Sequence, residues 1–196
     1  MNADPTLSSR PLDPSASSPS DSDEEPPSRA RLVEADGATE PGLSWIDRRP
    51  PGSAAARLKI DLAWLVRRGD ALVAQLPQPL AEVAIALLDD VEMDRLHREH
   101  CGVEGTTDVL SYPDADAHPT GALVGDLAIG VEVAHREAAA RGRRIEEEIL
   151  LYAAHGLLHL AGERDDTSAS AASMREAQDR IMRAIGLPPT EQEQAS

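Results

Sequence analysis

Apolar residues along this chain fall into two regimes. Up to about Gly52 they are scattered singly among Pro, Ser, Asp and Glu. From Arg57 onward they recur with the period of two, or of about 3.6, that strands and helices impose. ARLKID (56–61) reads as a short strand, and LAWLVRRGDALVAQL, beginning at Leu62, as an amphipathic helix stopped by Pro77. EVAIALLDD, from Glu82, is a β-branched apolar strand ending in acids, and VEMDRLHREHCG a helix closed by Gly102. TDVLSYP is a strand ended by Pro113; the polar loop DADAHPTG and the strand GALVGDLAIG follow. VEVAHREAAARG is an Ala-rich helix, and RRIEEEILLYAAHGLLHLAG, the longest and most apolar, ends near Gly162. TSASAASMREAQDRIMRAIG forms a last amphipathic helix, with Thr167 or Ser168 as its cap.

This pattern predicts an α+β fold: a single domain with a mixed sheet of about four strands packed with about five helices, preceded by a disordered N-terminal tail. Residues 1–53 are assigned to the acidic, Pro/Ser-rich tail, 54–188 to the domain and 189–196 to a flexible C-terminus. The tail has too little apolar surface to offset its ordering entropy. Within it LSWIDRR, where Trp45 and Ile46 are the only bulky apolar neighbours, reads as a linker, with a short docking segment as the alternative. No Gly-rich turn follows a strand, so a nucleotide-binding fold has no support.

Composition narrows the chemistry. Of the 196 residues 41% are hydrophobic, with no Phe and two each of Trp and Tyr, so the core is aliphatic. The single Cys101 cannot form an internal disulfide, which suits a reducing cytosol. No run approaches 18 apolar residues and no signal peptide opens the chain, so a soluble cytoplasmic protein is expected. A formal net charge of -16 argues against nonspecific nucleic-acid binding, which needs Lys and Arg to displace counterions. Nineteen bases remain, all Arg except Lys59. The tail to Gly52 holds ten acids against five Arg, and the rest is still acidic.

One stretch carries candidate chemistry. In HGLLHLAGERDD, His155 and His159 lie four apart on the apolar helix and so project from one face one turn apart. Gly162 ends that helix and lets the chain fold back, carrying Asp165 or Asp166 toward the same point. Two imidazoles and a carboxylate can hold a divalent transition metal and leave a position open for water. Chance spacing of two core histidines is the competing explanation.

The same stretch resembles the HGxLHLxGYDH signature of the YbeY family, bacterial metal-dependent endoribonucleases associated with ribosomal RNA maturation. LHREHCGVEGTTDVLSYP is similar to that family's LNxxYRxxDxPTDVLSFP, VGDLAIG to its LGDIxI strand and MREAQDRIMRAIGL to its closing helix. Together they span roughly Arg57 to Leu187 in the family's order. The resemblance implies a single-strand-specific endoribonuclease acting in 16S rRNA 3′ end maturation and ribosome assembly or quality control. Its implied partners are single-stranded or ribosomal RNA and the ribosome or small-subunit assembly proteins. It places the metal ligands on His155, His159 and Asp165, with one Zn2+ per chain as cofactor. Most members have histidine at the third position, so with Asp165 another divalent metal, manganese or iron, becomes an alternative. Asp166 and Glu163 are substitutes if the turn is shaped differently. Cys101 stands where many members carry a basic residue, and Arg98, one helical turn away, is the candidate to supply that charge. His155, His159 and Arg98 are therefore the expected catalytic residues.

Two other functions compete. Metal-dependent peptide hydrolysis usually needs HExxH, and Gly156 occupies the place of the glutamate. A non-catalytic ribosome-assembly factor with a structural metal site would favour four protein ligands rather than three. His97, His100, His118 and His135 read as surface or helix-face residues, with His118 the one expected to approach a cleft. Arg136, Arg141, Arg143 and Arg144 form the candidate basic cluster for RNA, or else a solvated helix and loop.

Overall fold

The computed structural model describes residues 42–114 and 121–190. The tail reading for 1–41, the loop containing His118 and the flexible C-terminus from 191 lie outside the described residues.

A four-stranded mixed sheet runs in the order β1-β2-β4-β3, from β1 (Gly42–Asp47), β2 (Leu80–Leu88), β3 (Val109–Pro113) and β4 (Leu123–Gly130). β1 and β4 flank β2 in parallel, and β3 closes the far edge antiparallel to β4. Five helices accompany it: α1 (Leu62–Val73), α2 (Asp90–Cys101), α3 (Val131–Arg141), α4 (Ile145–Leu160) and α5 (Ser168–Ala184). The α+β expectation is met.

Local chemistry sets the helix ends. Asp61 accepts from the Trp64 N–H, Asp89 from Glu92 and Thr167 from Ser170, each satisfying a backbone donor left open in the first turn. Glu146, Glu147 and Glu148 crowd the first turn of α4, where the helix dipole favours negative charge.

The two faces of the sheet bury different partners. Val83, Ile85 and Leu87 of β2, with Leu127 and Ile129 of β4, pack with α1, α4 and α5. Ala86, Leu88, Leu110 and Ala128 pack with Met93 and Leu96 of α2 on the opposite face. β2 and β4 are therefore buried on both sides, which is why they read as nearly continuous apolar runs. Each fully buried Leu or Ile here contributes about 1.5–3 kcal/mol. Close approach is bought by glycine: a Cβ on Gly69 of α1 would stand 3.0 Å from both Leu43 Cδ2 and Trp45 Nε1.

Two sequence expectations change places. ARLKID is not a strand; Ala55–Arg57 form a single 3-10 turn, and the carbonyls of Ala55 and Leu58 accept from the Arg49 guanidinium instead of from a strand neighbour. The fourth strand is the GLSWID segment, which had read as linker or docking segment. Leu43 and Trp45 alternate with Ser44 and turn inward against the core, a two-residue period hidden by the Pro- and acid-rich stretch around it.

Candidate metal centre

α4 is apolar nearly all round and lies across β3, β4, α1, α3 and α5, so its interior positions are buried. Toward its C-terminal end it reaches solvent again, and there His155 and His159 sit half-buried, with side chains 26% and 29% exposed.

The helix stops in a glycine turn. Gly162 adopts φ 91°, its N–H donates to the His159 carbonyl at 2.9 Å, and the Glu163 N–H donates to the Leu158 carbonyl at 3.0 Å. This paired closure is the Schellman arrangement. It reverses the chain over the last turn, so that the Glu163 carbonyl and the Asp165 side chain both come back to the histidines. Asp165 Oδ2 lies 3.7 Å from His155 Nε2 and 3.8 Å from His159 Nε2. The two Nε2 atoms are 3.1 Å apart.

Hydrogen-bond partners assign the tautomers. The Glu163 carbonyl can only accept, so His159 Nδ1, at 3.0 Å from it, carries the hydrogen. His155 Nδ1 faces the Gln178 Oε1 at 3.2 Å, and Gln178 is buried in the apolar stripe of α5. In neutral rings both Nε2 atoms then present bare lone pairs to each other and to a carboxylate oxygen. Such an arrangement is repulsive without a shared cation. Tetrahedral donors at metal–ligand lengths of about 2.0–2.2 Å stand roughly 3.3–3.5 Å apart, close to the three edges seen here. The residues fit a divalent ion, and the Nδ1 contacts are the outer hydrogen bonds that orient ligating histidines. This is the one group of three such donors among the described residues.

Of the alternatives for the third donor, Asp166 is turned away: it pairs with Arg164 at 2.6 Å, a contact that holds its carboxyl below the ordinary range. Glu163 offers its backbone carbonyl.

Beside His155 and Asp165 opens a cavity of about 240 Å³, lined also by Asp108, Arg141, Tyr152, Met174 and Gln178. Arg141 is held between Glu137 and the fully buried Glu148. Burial pushes the Tyr152 phenol well above its ordinary 10.0, with Glu148 and Asp108 adding to the shift, so it stays a neutral hydroxyl. Sequence reasoning missed Gln178, Tyr152 and Glu148. The detectable signal was a polar residue inside the buried α5 stripe of Met174, Ile181 and Met182.

The structure does not bring Arg98 to this cavity. Its guanidinium pairs with Asp94 one turn back on α2 and reaches Glu104 at 4.0 Å, and Arg98 is absent from the cavity wall. Cys101 is exposed. The candidate basic cluster is dispersed: Arg136 pairs with Asp90, Arg141 with two glutamates, Arg144 with Glu146, and Arg143 donates to the carbonyls of Pro189 and Thr190. His97 faces the Gly105 carbonyl, His100 meets the Tyr112 ring edge-on and His135 is exposed, so none of the three joins the centre. No helix among the described residues is long and apolar enough to cross a membrane.

The family model described as Endoribonuclease YbeY matches residues 65–186. The chain is 38% identical over 138 residues to the Endoribonuclease YbeY of Anaeromyxobacter dehalogenans, covering 70% of this chain and 68% of that protein. It is 40% identical over 116 residues to that of Moorella thermoacetica, with 55% and 74% covered. With that of Thermus thermophilus it shares 36% identity over 140 residues, covering 69% of this chain and 94% of the relative.

Proposed function

We propose, from the premise that this chain belongs to the YbeY family of endoribonucleases, that it hydrolyses phosphodiester bonds of single-stranded RNA at the His155–His159–Asp165 centre during ribosomal RNA processing. The observation that carries the reading is the pair of bare Nε2 atoms at 3.1 Å with Asp165 beside them. A divalent ion held there, Zn2+ in the first instance, supplies Lewis acidity and lowers the pKa of bound water.

The chain's own residues do the rest. Gln178 and the Glu163 carbonyl fix both imidazoles in the tautomer that donates electron pairs. Leu151 and Met174 give one wall of the cavity apolar surface, which strengthens the electrostatics beside it. Arg175, exposed on α5 and lining the same cavity, is placed to meet a phosphate; Arg98, outside the cavity, could act only on RNA further along. The acidic balance of the chain makes the bound cation itself the main local positive charge for RNA.

We further place the protein in the bacterial cytoplasm, working on ribosomal RNA with small-subunit assembly proteins. Peptide hydrolysis is disfavoured because Gly156 packs against the sheet with no space for the glutamate that reaction needs. A purely structural metal is disfavoured by three donors, one of them nearly half exposed.

The test measures bound metal and cleavage of unstructured RNA for the wild type, His159→Ala, Asp165→Ala and Asp165→His. The alanine variants should lose both metal and cleavage, and Asp165→His should keep both. Unchanged metal content in the alanine variants would show the centre to be misassigned; metal lost with RNA processing retained in cells would favour the assembly-factor role.

A further inference from the structure

TTDVLSYP has no part in the metal chemistry, yet Asp108 lines the same cavity as His155 and Asp165. Its orientation is fixed: Oδ1 accepts from the Val109 N–H at 2.9 Å and from the Thr107 hydroxyl at 3.0 Å. Among the described residues both hydrogen bonds to this carboxylate fall on Oδ1, which leaves Oδ2 as an acceptor for whatever enters.

The charge of the cavity decides what that is. Asp108 and Asp165 line the cavity together with Arg141 and Arg175, and Arg141 is already shared between Glu137 and Glu148. The scissile phosphate belongs at the divalent ion, whereas beside Asp108 the charge of Arg141 is already neutralised by two glutamates, so that part of the cavity is a poor phosphate site. It suits a neutral group that carries N–H donors. Leu151, Met174 and Ala171 supply apolar walls, and the volume of about 240 Å³ falls below the roughly 300–1,000 Å³ of pockets that take drug-sized ligands. A single splayed base is of that scale, and single-stranded RNA is read through bases turned out of the stack and hydrogen-bonded on their edges.

We propose that the cavity receives the nucleobase next to the scissile phosphate, and that Asp108 selects bases bearing an exocyclic amine over uracil. A carboxylate accepts from the amine of cytosine or adenine, whereas the uracil carbonyl at that place repels it. The inference rests on the reading of the centre as a nuclease of single-stranded RNA.

The experiment uses the metal-loaded full chain with single-base oligonucleotides of A, C and U, as plain RNA for cleavage and, for affinity, as 2′-O-methyl RNA verified intact at the end of the measurement. Wild type should bind the A and C oligomers roughly tenfold more tightly than the U oligomer, the effect of one charge-assisted hydrogen bond. Asp108→Asn, whose amide can also donate to the uracil carbonyl, should shrink that ratio to about twofold or less. Should that variant fold poorly, Ala171→Phe fills the cavity from α5; it should weaken binding of all three while leaving metal content unchanged. Equal affinity for the three oligomers in the wild type, a tenfold ratio that survives Asp108→Asn, or unweakened binding in Ala171→Phe overturns the pocket. Cleavage without base ranking removes the pocket and leaves the nuclease, whereas ranked binding without cleavage does the reverse.

Discussion

Gly156 and Leu127 meet with no room for one more carbon: a Cβ on Gly156 would stand 2.8 Å from Leu127 Cδ2 and 3.1 Å from Val109 Cγ2. This contact seats α4, and with it both histidines, directly on β3 and β4. Alanine is better than glycine in a helix by about 1 kcal/mol, but overpacking a tight core costs typically about 1–3 kcal/mol. Gly156→Ala should therefore lose roughly 1 kcal/mol, read as a lowered urea midpoint in chelator-treated protein. A raised midpoint would mean that the helix is not so closely seated.

Gln178 is buried and holds the Nδ1 hydrogen of His155 from α5. Removing such an outer hydrogen bond typically weakens metal binding about 10–100-fold. Gln178→Leu should show that loss in competition with a chelator, while Gln178→Glu, which still offers an acceptor, should hold the metal. Equal affinity in the leucine variant would remove Gln178 from the centre.

Asp47 answers to acid. The Arg49 side chain, bonded to both of its oxygens, holds its carboxyl below the ordinary 3.8, against a smaller opposing effect of partial burial. A depressed folded-state pKa gives stability that is complete above the unfolded value and is lost as pH falls through the folded one. Wild type should therefore exceed Asp47→Asn by a constant margin near neutrality, and the two unfolding curves should converge below about pH 4. A margin independent of pH would show the pair to contribute nothing.

Arg141 is the hydrogen-bond partner of a carboxylate with no exposed surface. Arg141→Ala strands Glu148, and breaking one side of a buried pair costs about 3–5 kcal/mol. Pairing Arg141→Met with Glu148→Leu should recover most of that loss in denaturant unfolding. Failure of the double variant to recover would locate the cost in lost packing of the Arg141 stem.

Legibility from sequence followed the range of the forces involved. The helix cap at Thr167, the Gly162 stop and the apolar period of α4 are local, and they appear at the expected places. The His155–His159 spacing and the glycine turn span only eleven positions, so a grouping of the two histidines with Asp165 or Asp166 was readable from spacing; the family resemblance singled out Asp165, the side chain that lies beside both imidazoles. The misassigned strand depended on distant partners: GLSWID becomes a strand because β2 lies beside it, whereas in ARLKID the Leu58 carbonyl is taken by the Arg49 guanidinium rather than by a strand neighbour. Gln178 and Tyr152 converge on the cavity from α5 and α4, a proximity that no spacing rule expresses.

The third donor stands apart from the scaffold. Among the described residues the polar partners of Asp165 are the two imidazoles, while the turn beneath it is held by the backbone of Leu158, His159 and Glu163. A single-codon exchange at position 165 therefore alters the hardness of the donor set without disturbing the framework. Ion preference can drift between lineages here while the architecture that presents it stays constant.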